Sequence, residues 1–266
     1  MPRRPGRGTA ALCTGAVLLS GCSGGGPAGR RPPDVPSAAP VPVPASPASP
    51  TGVAGPPVDP ARAPRTPGRA RALVAEVIAG PADFGPAARP GLPYESDPGQ
   101  RPVLDGECDW RQRPLPREVL ATRTRSFRIP AGPGREAARL TATVTVYRSS
   151  DDAAWELARA MEDLMRCPAQ RLREDQWVGA LFPAALYAGE QDDSATRDAF
   201  SETGEFHDQS GGPYPYGWSA ARYGPVTVAV GVRGGPGTGR ESIAPLVASG
   251  RARMLLRAGQ RIGRWA

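Results

Sequence analysis

The stretch "LTATVTVY", residues 140–147, decides the fold. Leu140, Ala142, Val144 and Val146 point one way, and Thr141, Thr143, Thr145 and Tyr147 the other. That period of two is the mark of a half-buried β-strand. "VTVAVGV", residues 226–232, repeats it, with Val226, Val228, Val230 and Val232 alternating with Thr227, Ala229 and Gly231. The preceding "YGWSAARY" is expected to be its hairpin partner, joined through Gly224-Pro225. "VLATRTRSFRI", residues 119–129, is expected to be the strand before Leu140, across the Gly/Pro turn "PAGPGRE". Its Arg123 and Arg125 suit an edge strand, where charge blocks unwanted pairing. "RDAFSETGEFHD" reads as one more strand.

Helices flank these strands. Thr66-Pro67 offers an N-cap followed by proline at the first helical position. Leu73, Val74, Val77 and Ile78 then form one apolar stripe, and Gly80-Pro81 stops it. The stretch from there to Gly106 carries Pro86, Pro90, Pro93, Pro98 and Pro102 and is expected to be irregular. From about Ser150 to Arg166, "DDAAWELARAMEDLMR" opens with acids suited to the positive end of a helix dipole. Its expected buried stripe is Ala154, Leu157, Ala158, Met161, Leu164 and Met165, and Cys167-Pro168 ends it. A last helix is expected from Thr238, with Glu241 three residues on as a capping box. Its apolar side is Ile243, Leu246, Val247, Met254, Leu255 and Ile262. Hairpins with about three helices and no βαβ alternation give an α+β fold: an antiparallel sheet of hairpins backed by helices in a single domain.

The amino end reads differently. Arg3, Arg4 and Arg7 precede an apolar run from Ala10 to Ser20, too short to span a bilayer, which takes about 20 apolar residues. A basic head, a short apolar middle and a small-residue exit make a secretory signal peptide, residues 1–21. The exit, Leu19-Ser20-Gly21-Cys22, resembles the lipobox of bacterial lipoproteins. That resemblance implies a diacylglyceryl group on the Cys22 sulfur and cleavage that leaves Cys22 as the first residue, anchored by fatty chains such as palmitate. Two acyl chains hold a protein on a membrane where one is marginal. Residues 22–68 are then the lipidated cysteine and a Pro/Ala/Gly-rich linker, "PSAAPVPVPASPASP" being typical. Such a composition buries too little apolar surface to fold and is expected to be disordered. Its polyproline II tendency would let it reach on the order of 100 Å. The α+β domain is assigned to residues 69–266. The expected location is the extracytoplasmic face of the cell membrane, with the membrane as partner through the lipid.

Cysteine and charge usage agree with export. Cys13 leaves with the signal and Cys22 takes the lipid, so Cys108 and Cys167 remain. An even pair in an exported chain reads as a disulfide, and the alternative is two buried thiols. No metal site is expected, because the neighbouring His and Cys that zinc needs are missing. The chain carries a formal charge of +7, but Arg3, Arg4 and Arg7 lie in the signal. Arg30, Arg31, Arg62 and Arg65 outnumber Asp34 and Asp59 in the linker, which leaves the domain near +2. Nucleic acid, which needs a clustered basic face, is not an expected partner. Every base is Arg, so Schiff-base and Ser-x-x-Lys chemistry have no lysine to use.

Signals of catalysis are sparse. His207, in "GEFHDQSGG", is the one histidine, and Asp208 and Ser210 sit too near it in sequence to aim at it as a triad would. No Gly-x-Ser-x-Gly, His-Glu-x-x-His or phosphate-cradling loop occurs. The Gly-rich "GVRGGPGTGR" precedes a helix and reads as a plain loop with a capping residue, an anion at the helix start being the alternative. The expectation is a protein that is not an enzyme and needs no cofactor. Tyr214, Tyr216 and Trp218, in "GGPYPYGWSAARY", are dense for a chain poor in aromatics. Exposed, they would line a groove for a ligand; otherwise they pack beneath the hairpin.

The order of these features resembles the extracellular sensor domain of the PknH type and related actinobacterial lipoproteins. The features are the lipobox, the Pro-rich tether, "CDW", "VTVYRSSDDAAW", a helix closing on a second cysteine, and a valine-rich strand before a terminal helix. The resemblance implies a sheet backed by helices around a cleft, and a ligand-sensing role. Two departures stand out: those sensors carry two disulfides where one pair is available here, and no kinase domain is present. The expected function is thus a membrane-anchored extracytoplasmic lipoprotein whose domain binds a small ligand or an envelope partner. The alternatives are a cell-envelope hydrolase, which would use His207, and a passive envelope assembly factor, which would need no concave pocket.

Overall fold

A computed structural model describes residues 56–184 and 199–265 of the chain. Cys22, the lipobox and most of the linker lie outside them. Among the described residues ten strands and three α-helices follow in order. Helix α1 (Pro67–Val77) precedes β1 (Arg89–Glu95), β2 (Gln100–Leu104), β3 (Trp110–Pro114), β4 (Val119–Ile129) and β5 (Ala138–Tyr147). Helix α2 (Ser150–Arg166) leads to β6 (Gln170–Arg173), β7 (Gln176–Pro183), β8 (Ala199–Asp208), β9 (Gly211–Tyr223) and β10 (Val226–Gly234). Helix α3 (Arg240–Ile262) ends the fold. Eight strands make one sheet in the order β1-β4-β5-β10-β9-β8-β7-β6, and β2 and β3 form a separate ribbon. All the pairs are antiparallel, which makes the architecture α+β.

The two valine-rich segments lie side by side at the centre. Val146 pairs with Val226, Val144 with Val228, Ala142 with Val230 and Leu140 with Val232. All eight side chains have 0–1% of their surface exposed. They face α1 and α3, whose Leu73, Val74, Val77, Ile243, Met254 and Ile262 complete the larger core. Phe84 packs at a tilt against Phe127, with ring centroids 4.9 Å apart. A side chain on Gly250 of α3 would meet that ring, with a Cβ 2.5 Å from Phe84 Cε1, so glycine lets the helix settle onto it. The β9–β10 turn uses Gly224 at φ +56, a conformation that suits glycine.

Helix α2 lies on the opposite face. The Ser149 hydroxyl caps it, accepting from the Asp152 amide at 3.0 Å. The helix buries Ala153, Leu157 and Leu164, while Met161 and Met165 of the expected stripe are 49% and 73% exposed. The buried line keeps to one side of the helix, and the two methionines turn away from the sheet. The helix exits into Cys167, whose sulfur is bonded to Cys108. The disulfide therefore ties the α2 exit to the loop between β2 and β3. Closing a loop of about 60 residues is worth ~4 kcal/mol in the chain-entropy model.

Other expectations need correction. The strand at 119–129 is not an edge: β1 pairs outside it, and Glu95 of β1 meets Arg125 at 2.9 Å and Arg123 at 3.6 Å. The Pro-rich stretch before Gly106 is not irregular, since it contains β1 and β2. Its prolines fit because β1 is a sheet edge and β2 belongs to a two-stranded ribbon, where a missing N–H faces no partner strand. The Thr238–Glu241 capping box is not formed; Gly239 is the N-cap. Thr238 Oγ1 instead accepts from the Gly235 amide and donates to the Ala137 carbonyl, both at 3.0 Å, binding the loop after β10 to the start of β5. The chain also joins the domain ahead of residue 69. Val58 bridges to Gly263, and the Asp59 amide donates to the Ile262 carbonyl at 2.8 Å.

Candidate functional site

The alternation of β9 sends Tyr214, Tyr216 and Trp218 to the α2 face of the sheet, so the sequence cluster is one face of one strand. Tyr216 and Trp218 pack against the apolar cluster of Leu164, Val178, Leu181, Phe200 and Phe206. Trp218 meets Phe200 edge-on, with centroids 6.2 Å apart. Tyr214 packs on Phe206, and its hydroxyl donates to the Ser210 carbonyl at 3.1 Å. It also lines an open cleft of about 210 Å³ at the end of the sheet. The aromatic patch therefore divides: Tyr214 reaches the cleft, while Tyr216 and Trp218 serve the smaller core under α2.

The ends of five strands and the loops beside them build this cleft. Arg128 comes from β4, Arg139 from β5 and Arg233 from β10; the end of β8 adds Asp208, the turn Ser210 and the start of β9 Tyr214. The end of β10 and the loop after it, Gly234 to Pro236, close one side. Asp208 is held in place by its neighbours. Its Oδ1 accepts from the Ser210 amide at 2.9 Å, and its Oδ2 lies 3.1 Å from Arg139 Nη1. The Ser210 hydroxyl and amide, with the Arg139 charge, keep this carboxyl below its usual range. Arg233 donates to Gln176 Oε1 at 3.3 Å and lies over the Phe206 ring at 5.3 Å. Burial, together with the nearby charges of Arg139 and Arg173, lowers its pKa.

A second polar group lies under α2, and sequence reading missed it. Glu202 of β8 is 7% exposed and accepts a hydrogen bond from the Tyr216 hydroxyl at 3.1 Å. Burial raises its pKa to about 7; the Tyr216 hydrogen bond opposes the shift and the charge of Asp163 on α2 adds to it. Further along α2, Arg101 of β2 pairs with Glu156 beside the buried Tyr147. Tyr147 has its pKa raised, first by burial and then by the Glu156 charge. The only signal for Glu202 was an acid at an alternation position shared with Phe200 and Phe206.

His207 stacks flat on Trp177, with centroids 4.9 Å apart and an interplanar angle of 1°. Its Nε2 lies 3.7 Å from Glu205 Oε2. Ser210 is engaged with Asp208 rather than with this imidazole. Among the described residues no group of three or more His, Cys, Asp or Glu side chains gathers as metal ligands. No helix among them is long and apolar enough to cross a membrane.

No protein-family model matches the chain, and no curated protein matches it. Among solved structures, the chain is similar to the extracellular domain of PknH from Mycobacterium tuberculosis. The TM-score is 0.44 at 9% identity, over 70% of this chain and 95% of that one.

The buried acid gives a signed pH dependence. Between about pH 4.5, the ordinary value, and about 7, the folded protein holds a proton on Glu202 that the unfolded chain has released. Stability therefore falls as pH rises through this window, and the penalty is complete above it. Glu202→Gln keeps an acceptor for Tyr216 without the charge. It is expected to flatten the decline and raise stability at pH 8 by about 1–3 kcal/mol. Urea unfolding at pH 5 and pH 8 measures this, and an unchanged pH slope in the variant contradicts the assignment.

Proposed function

We propose that the protein is a lipid-anchored binding module of the extracytoplasmic membrane face, with no catalysis of its own. Cys22 carries the acyl chains, the Pro-rich segment is the tether, and the α+β domain takes a small ligand or an envelope partner in the cleft beside Tyr214. The observation that carries this reading is the cleft itself: about 210 Å³ of space at strand ends, whose walls include three arginines, Asp208, Ser210 and Tyr214 beside apolar residues such as Ile129 and Ala138. A concave, chemically specific opening supports binding over a passive spacer. The surroundings of His207 support binding over hydrolysis. Its ring lies against Trp177, its near carboxylate is Glu205 at 3.7 Å, and the nearby serine is bonded elsewhere. A nucleophile and base within hydrogen-bond reach would be needed for acyl transfer.

Anchoring and binding are tested separately. Cys22→Ala is expected to move the protein from the membrane fraction to the aqueous one, and a variant retained on membranes contradicts the lipid assignment. For binding, the full chain in membranes is exposed to an envelope extract and followed by hydrogen exchange. Slowed exchange at the strand ends and turns that line the cleft is expected. Unchanged exchange across the domain contradicts a binding role.

A further inference from the structure

The register of the sheet produces a feature that no single segment of sequence displays. Arg89 pairs with Arg128, Arg128 with Arg139, and Arg139 with Arg233. Four arginines thus occupy one row across β1, β4, β5 and β10. Directly opposed residues share a face of the sheet, and neighbouring strands are about 4.8 Å apart, so Arg128, Arg139 and Arg233 span roughly 10 Å. Like charges directly opposite each other destabilise a sheet. A row of them is a cost the fold carries unless something else answers it.

Within the domain the answer is incomplete. Arg89 turns away, donating to the Pro86 and Ala88 carbonyls at 2.6 and 2.9 Å. Asp208 pairs with Arg139. Arg233 has an amide oxygen and a ring as neighbours, and no carboxylate within 4.0 Å among the described residues. The Arg128 side chain has no hydrogen bond or ion pair to any described residue, although Arg128 lines the cleft. Several arginines elsewhere are matched by a carboxylate, among them Arg125 with Glu95, Arg171 with Asp109, and Arg257 with Asp83. Edge protection does not explain the row, because β4, β5 and β10 are interior strands.

We infer that the cleft is an anion site, taking a small ligand through a multivalent oxyanion such as a phosphate ester or diphosphate, held by Arg128, Arg139 and Arg233. This names the ligand class for the binding function proposed above and rests on it. The guanidinium fork donates in pairs to phosphate or carboxylate oxygens. Three such forks facing one fixed carboxylate leave about two positive charges for the ligand, which favours a dianion over a monovalent anion. The Ser210–Asp208 contact fixes the one acid that lines the cleft.

Calorimetric titration of the full chain in detergent with inorganic pyrophosphate, against acetate and chloride at matched ionic strength, tests this. Pyrophosphate is expected to bind and the monovalent anions to bind far more weakly. Arg128→Gln removes a side chain with no other described partner, so its fold is safe. It is expected to weaken pyrophosphate binding about tenfold or more. Arg139→Gln should do the same, and the distant Arg65→Gln should leave affinity within about twofold. Soluble glycerol phosphate and phosphatidic acid vesicles, titrated in parallel, separate a free ester from a lipid headgroup; loss of either in Arg128→Gln supports the site. No binding of these probes, or binding equal in wild type and Arg128→Gln, overturns the inference. Cleft protection by an envelope extract alongside such a failure would leave the binding role standing and remove only the anion class.

Discussion

The pairing of β5 with β10 is the constraint on which the rest of the structure depends. Eight apolar side chains from these two strands meet in register beneath α1 and α3, and each is almost wholly buried. At roughly 1.5–3 kcal/mol for each large aliphatic side chain buried, this is a large share of the core. Slipping the register by one residue would turn the valines outward and Thr143, Thr145 and Arg139 inward. The valines therefore choose the register, and the register then sets what happens on the other face. It places Thr145 beside Thr122, whose hydroxyls lie 2.8 Å apart, and it places Arg139 between Arg128 and Arg233. The chemistry of the cleft is a consequence of the packing of the core behind it.

Helix α2 gives the other face of the sheet its division of labour. Where it covers the sheet, aromatic side chains become core and Glu202 is cut off from water. Beyond that cover, the same strands end in the open cleft with Tyr214 on its wall. The disulfide fixes the end of the helix, and nearby Trp110 Nε1 donates to Gln170 Oε1 at 2.8 Å to join the ribbon to the strand that follows.

Much of this was legible in sequence where one physical rule acted alone. Alternation revealed β5, β8 and β10, the Gly-Pro turn placed β9, and the even pair Cys108 and Cys167 gave the disulfide. The N-cap at Thr66 was likewise plain, its hydroxyl accepting from the Arg69 amide at 3.4 Å. The reading failed where two rules competed. Proline argued against strands before Gly106, yet an edge and a ribbon tolerate it. Thr238 satisfies the side-chain pattern of a capping box, but a backbone carbonyl across the domain, Ala137, takes its hydroxyl instead. The apolar count on α2 included two methionines that tertiary packing leaves in solvent. The arginine row was hidden for a different reason. Its members are spread from residue 89 to residue 233, and they come together only once strand order and register are known.

One measurement bears most directly on the claim that valine packing sets the arginines side by side. Arg139→Cys combined with Arg233→Cys places two thiols on directly opposed residues, within disulfide reach. Thr141→Cys with Arg233→Cys offsets them by two residues, beyond easy reach. On mild oxidation of the folded protein, the account expects the first pair to cross-link and the second to stay reduced. Cross-linking confined to the offset pair would show a different register and would contradict the account.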